Sequence, residues 1–122
     1  EDYHADHRAA AALAESVSWF ACSEGHRSGQ EPLQRPPAVI YMDTVNMLGF
    51  QPGFYVDVTD YQVLKKRMLA CHGSQLRRGD DADFEPLEQW MMRQMTARGS
   101  QANVAAAEAF RIHLAWKRIC AW

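Results

Sequence analysis

The sequence predicts an α/β fold, a thin and mostly parallel sheet accompanied by about three helices. Three observations carry that expectation. Two short apolar runs, Ala38 to Met42 and Phe54 to Val58, have strand character. Segments with helical periodicity alternate with them, which argues for parallel crossovers. Each helical segment also carries a start or stop signal. A chain of 122 residues is enough for one domain, residues 1–122. Two or three strands make a thin sheet, and the chain opens at Glu1 amid ligand-type side chains, so a preceding segment with further strands is expected.

The elements follow in order. Residues 7–22 read as a helix, with Asp6 as N-cap and the run Ala9 to Ala14 supplying high helix propensity. Leu13, Val17 and Phe20 recur at helical spacing and mark the face expected to be buried. Ser23 to Pro37 carries two glycines and three prolines among polar residues and reads as a long surface loop. Ala38 to Met42 is expected to be a buried strand. In the run from Phe54 to Val58, Phe54, Val56 and Val58 share one face. Thr59 and Gln62 suit a capping box, opening a helix that reaches about His72 with Gly73 as its stop. Tyr61, Leu64, Met68 and Cys71 lie on one side of that helix. Pro86 suits the first turn of a further helix with the stripe Leu87, Trp90, Met91 and Met95, and Gly99 is expected to end it. The last stretch is ambiguous: Val104 to Phe110 favours helix, whereas Phe110 to Trp116 alternates like a strand.

Composition narrows the function classes. Hydrophobic residues make up 48 % and charged residues 23 %, the mix of an ordinary globular domain. Thirteen Lys and Arg against fifteen Asp and Glu give a net charge of -2, so there is no basic footprint for nucleic acid or anionic lipid. No apolar run approaches the roughly 20 residues that span a bilayer. Cys22, Cys71 and Cys120 show no paired spacing, which points to a reducing, cytoplasmic setting and buried thiols rather than redox chemistry.

The most informative string is Asp2-Tyr3-His4-Ala5-Asp6-His7-Arg8. Two imidazoles three residues apart at a helix start share a face and can converge on one site. Asp6 can accept an N–H from one ring and fix its tautomer. The same residues also read as a solvated helix start with a capping Asp and two surface histidines. This segment cannot by itself supply the three protein ligands of a catalytic zinc site. The other histidines, His26, His72 and His113, lie elsewhere.

This string resembles the second signature, H-P-D-H-R, of the LmbE-like (PIG-L) zinc-dependent N-deacetylases. Three later stretches resemble that family in the same order: Phe50-Gln51-Pro52 with Tyr55-Val56-Asp57-Val58, Lys65-Lys66 followed by Cys71-His72-Gly73-Ser74-Gln75, and Ala107-Glu108-Ala109-Phe110-Arg111. The resemblance implies the C-terminal portion of a Rossmann-like three-layer deacetylase domain. It further implies removal of an acetyl group from an N-acetylglucosamine-type sugar or glycoconjugate, with a metal-bound water attacking the amide carbonyl. By the same resemblance His7 is a Zn2+ ligand, His4 stabilises the oxyanion or protonates the leaving amine, and Asp6 orients His4. Ala5 stands where the family has proline. The family's first signature, A-H-P-D-D-E, supplies the other ligands and the general base and is absent from the sequence. The zinc site is therefore expected to be incomplete in this chain.

Asp43 and Asn46 follow a strand, where α/β ligands bind, and are candidate substrate contacts; ordinary loop polarity explains them as well. His72 and Gln75 can line the same cleft, or His72 can simply face the helix C-terminus. Glu108 reads as a structural partner near the last strand, and Lys65 and Lys66 as a solvated face. The alternative to an enzyme is a catalytically inactive truncated domain acting as a structural or oligomerising module, for instance a homo-oligomer that covers its sheet edges.

Overall fold

The structure, a computed structural model, describes residues 2–26, 29–76 and 86–117, without the side chains of Ser74 and Gln75. The described elements are α1 (Ala5–Phe20), β1 (Ile40–Met42), β2 (Phe54–Asp57), α2 (Gln62–Ala70), the short α3 (Gly73–Leu76), α4 (Leu87–Ala102) and β3 (Ala107–Ile112). Single 3-10 turns occupy Glu24–His26 and Thr59–Tyr61.

The strands form a three-stranded sheet in the order β1-β3-β2. β1 pairs with β3 antiparallel, with Ile40 opposite Ile112, Tyr41 opposite Arg111 and Met42 opposite Phe110. At the ends of β2, the Gly53 N–H donates to Phe110 O and the Val58 N–H to Ala106 O, so β2 and β3 also run in opposite directions. The expected mostly parallel, Rossmann-like sheet is thus corrected to an antiparallel one. The physical reason lies between β2 and β3. One crossover helix would return the chain to the start of the sheet and give a parallel neighbour. Two long helices, α2 and α4, occupy that connection instead.

The chain divides into two compact units. The first holds the described parts of residues 1–44, 48–53 and 110–122; the second holds 45–47 and the described parts of 54–109. β3 contributes its first half to the second unit and its second half to the first.

In the first unit, α1 begins two residues earlier than its propensity suggests, because His4 rather than Asp6 is the N-cap. The His4 imidazole accepts a hydrogen bond from the Asp6 N–H, satisfying one of the donors a helix start leaves open. Leu13, Val17 and Phe20 are 64 %, 60 % and 44 % exposed, so the stripe expected in the core is instead on the surface. The face that packs carries Ser18, which is buried, and Glu15, which accepts a hydrogen bond from the Tyr41 hydroxyl of β1. That hydroxyl has one proton to give, so its oxygen accepts from His113 Nδ1 at 3.2 Å. β1 is likewise not a buried strand: Met42 is 71 % exposed. The loop after α1 returns to it through Leu33 N–H donating to Ala21 O, and the His26 ring stacks on Phe20 at 4.2 Å between centroids.

The core of the second unit is small. Met95, 1 % exposed, packs with Val58 and Ala106, and half-buried Met91 and Met92 lie against them. The Thr59–Gln62 capping box does not form. Asp57 accepts from the Thr59 N–H at 2.9 Å, and the Thr59 hydroxyl accepts from the Ala106 N–H, which anchors the residues before β3. The Thr59 hydroxyl and N–H hold the exposed Asp57 carboxyl below its usual range. α2 ends at Ala70 with Cys71 as cap, and Gly73 opens α3 rather than stopping a helix. Tyr61, Leu64, Met68 and Cys71 are all exposed. Lys65 and Lys66 are not free surface charges: they pair with Glu108 and Glu88.

Gly99 does not end α4, which continues to Ala102 and is capped by Asn103 in the left-handed conformation. Gly99 instead marks a close approach of the chain leaving the helix. A Cβ there would lie 2.7 Å from Val104 O and 2.9 Å from the Ala105 carbonyl. The ambiguous last stretch resolves as strand from Ala107, with Ala107 and Ala109 buried. Among the described residues no helix is long and apolar enough to cross a membrane.

Candidate functional site at the start of α1

Helix α1 brings His4 and His7 together, with ring centroids 4.8 Å apart and ring planes tilted by 30°. The Tyr3 ring meets both edge-on. A residue absent from the predicted site organises the pair. Asp2 Oδ1 accepts from the His4 N–H at 2.8 Å and lies 3.0 Å from His7 Nδ1. The side chain of Asp2 is 17 % exposed and that of His7 54 %, so the carboxylate is sheltered while the ring it holds stays accessible. Arg8 closes the turn by donating from Nη1 to the carbonyls of Asp2 and Tyr3 at 2.7 and 3.0 Å.

These contacts give the two rings opposite tautomers. His4 Nδ1 accepts the Asp6 N–H at 3.2 Å, so in the neutral ring the proton sits on Nε2, which becomes a donor. His7 Nδ1 donates to Asp2, so its Nε2 keeps a free lone pair. A carboxylate holding the far nitrogen of an imidazole is the usual support for a histidine metal ligand. Asp6 acts differently from the expectation. Its carboxylate is 3.9 Å from His4 Nδ1, beyond hydrogen-bonding reach, and its backbone N–H orients the ring instead.

Burial raises the Asp2 carboxyl, but the His4 N–H, the His7 ring and the charges of both histidines outweigh it and leave the carboxyl below its ordinary 3.8. A depressed folded value means that the ordering Asp2 provides is complete above the unfolded value and is lost as pH falls through the folded one. In an acid titration followed by carboxyl carbon shifts, Asp2 is expected to titrate below 3.8 and the His4 amide to lose exchange protection in the same step. A midpoint at or above that value would contradict the arrangement.

His7 opens onto a cleft of about 750 Å³, lined among others by Asp2, Arg8, Tyr41, Asp43, Phe50 and Arg111. Ala10, Ala11 and Ala14 of α1 form one wall, and their short side chains leave the space open. Asp43 therefore shares the cleft with His7, while its Oδ1 accepts from the Thr44 N–H at 2.8 Å. Asn46 and His72 belong to the second unit, where Asn46 is half-buried and His72 exposed. The Gln75 side chain lies outside the described residues. Among the described residues no group of three or more His, Cys, Asp or Glu is placed to hold a metal ion. What they offer is one supported ligand nitrogen, His7 Nε2. An imidazole nitrogen is one of the donor types that zinc accepts.

The role of Asp2 had one available signal, an Asx acceptor two residues ahead of a helix cap. The Glu15–Tyr41–His113 cluster had none, since its members stand far apart in sequence.

No protein-family model matches the chain. Among solved structures it is similar to GalB, the 4-carboxy-2-hydroxymuconate hydratase from Pseudomonas putida KT2440, with a TM-score of 0.70 and 22 % identity. The similarity covers 93 % of this chain and 48 % of that one, so the chain spans about half the length of that protein. At this identity the likeness shows the fold alone.

Proposed function

We propose that this chain supplies one metal ligand and the acid or oxyanion histidine of a zinc-dependent hydrolase that removes the acetyl group from an N-acetylglucosamine-type sugar or glycoconjugate. The observation that supports the reading most is the pairing of His4 Nδ1 with the Asp6 N–H and of His7 Nδ1 with the Asp2 carboxylate, which assigns an N–H to His4 Nε2 and a lone pair to His7 Nε2. Bound zinc would polarise the amide and lower the pKa of water to about 7, which is the chemistry amide hydrolysis lacks at neutral pH. His7, held by Asp2, would be the ligand. His4 Nε2–H, 4.8 Å away between ring centroids, would donate to the developing oxyanion or give its proton to the departing nitrogen, which cannot leave as an anion. Asp43 would contact the sugar from the cleft rim.

The test is release of acetate from N-acetylglucosamine derivatives by the product of the full gene, with elemental analysis of the purified protein. Stoichiometric zinc with acetate release supports the reading. Absence of divalent metal together with no acetate release contradicts it.

A second reading, a catalytically silent module that associates through its surface, is favoured by the exposed stripe of Leu13, Val17 and Phe20. Sedimentation as a homo-oligomer without metal would favour it, and a stable monomer would remove it.

A further inference from the structure

We infer that the cleft beside His7 recognises an anionic substituent of its ligand, a carboxylate or a phosphate, through Arg111. The inference deepens the proposed function by naming the substrate class, and it rests on that reading only for the identity of the reacting group. Arg111 stands opposite Tyr41 in the β1–β3 register, so the two side chains share one face of the sheet. Its guanidinium carbon lies 5.5 Å from the Tyr41 ring centroid and 5.6 Å from that of Phe50. Two aromatic faces thus pin the planar group without using any of its five N–H donors. Among the described residues no carboxylate or carbonyl accepts from it.

The other charged groups lining the cleft are already engaged. Arg8 donates to two backbone carbonyls. Asp2 holds His4 and His7, Asp43 accepts the Thr44 N–H, and Glu15 accepts the Tyr41 hydroxyl. An exposed guanidinium held against two rings, whose donors meet no acceptor among the described residues, in a cleft of about 750 Å³ that His7 also lines, is suited to bidentate recognition of an oxyanion.

The experiment is calorimetric titration of the protein with N-acetylglucosamine, N-acetylglucosamine 6-phosphate, and succinate as a carboxylate free of any amide. The anionic ligands are expected to bind at least about tenfold more tightly than the neutral sugar, with the preference shrinking as salt rises. Arg111→Gln should abolish the preference, and Arg111→Lys should keep part of it. The salt dependence needs no variant, so it holds even if Arg111→Gln folds poorly. Equal binding of charged and neutral ligands, no binding of either anion, or a preference that survives in Arg111→Gln would overturn the inference. Succinate and phosphate binding without acetate release would leave this inference standing and remove the deacetylase. Acetate release without anionic preference would do the reverse.

Discussion

Conversion of His7 to alanine is expected, on the proposed zinc-hydrolase reading, to weaken zinc binding by roughly a hundred- to a thousandfold and to remove hydrolysis with it. The magnitude follows from the roughly 10–16 kcal/mol typical of structural zinc, which over four ligands gives about 2.5–4 kcal/mol for one imidazole. Asp2→Asn keeps the ligand and loses the carboxylate behind it, so a smaller loss of about 10- to 100-fold is expected. His4→Ala should separate the two roles. It leaves zinc in place and lowers kcat roughly 100- to 1,000-fold, the usual consequence of deleting one oxyanion donor. Metal content and turnover measured on the three variants distinguish these outcomes. Full zinc occupancy in His7→Ala would remove His7 from the ligand set.

The second large effect concerns stability. Gly99 lies inside α4, where replacing glycine with alanine normally gains up to about 1 kcal/mol. Here the added methyl would sit 2.7 Å from Val104 O and 2.9 Å from the Ala105 carbonyl. These are backbone atoms, fixed by the Val104 N–H bond to Gly99 O at 2.9 Å and by the entry into β3. Overpacking against atoms that cannot turn aside costs about 1–3 kcal/mol or more and outweighs the propensity gain. Gly99→Ala is therefore expected to lose about 2 kcal/mol, a fall of roughly 8 °C in Tm at this chain length. Ser100→Ala, next to it on the exposed face, should be close to neutral. Thermal denaturation of both variants checks the pair, and a stabilised Gly99→Ala would refute the close approach.

The histidine pair was legible in the sequence because a residue at the cap of a helix and the one three positions on lie beside each other at its first turn. Their roles were less so. Asp6 stood between them and was the natural partner, yet the Asp6 backbone N–H caps through His4 and the carboxylate work falls to Asp2. That choice depends on the turn preceding the helix, which periodicity does not report. The elements themselves were recognisable at both strands before residue 60 and at each long helix. The direction of the sheet was not, because it depends on whether one or two helices complete the return between β2 and β3.

The stripe Leu13, Val17 and Phe20 carries a similar lesson. Spacing identifies an apolar face, but not the surface that covers it. Gly99 shows the same ambiguity in a single residue, since glycine signals a helix end and a close backbone approach alike. Arg111 was visible only as the end of a motif. Its meeting with Tyr41 and Phe50 required the register of β1 on β3.

The central claim is that the turn before α1 sets the two imidazoles in opposite protonation patterns. Long-range nitrogen–proton correlation spectra of the imidazole rings at neutral pH test it directly. His4 is expected to be protonated on Nε2 and His7 on Nδ1, with added zinc shifting His7 Nε2 first. Identical tautomers on the two rings, or a zinc titration that moves neither, would contradict it.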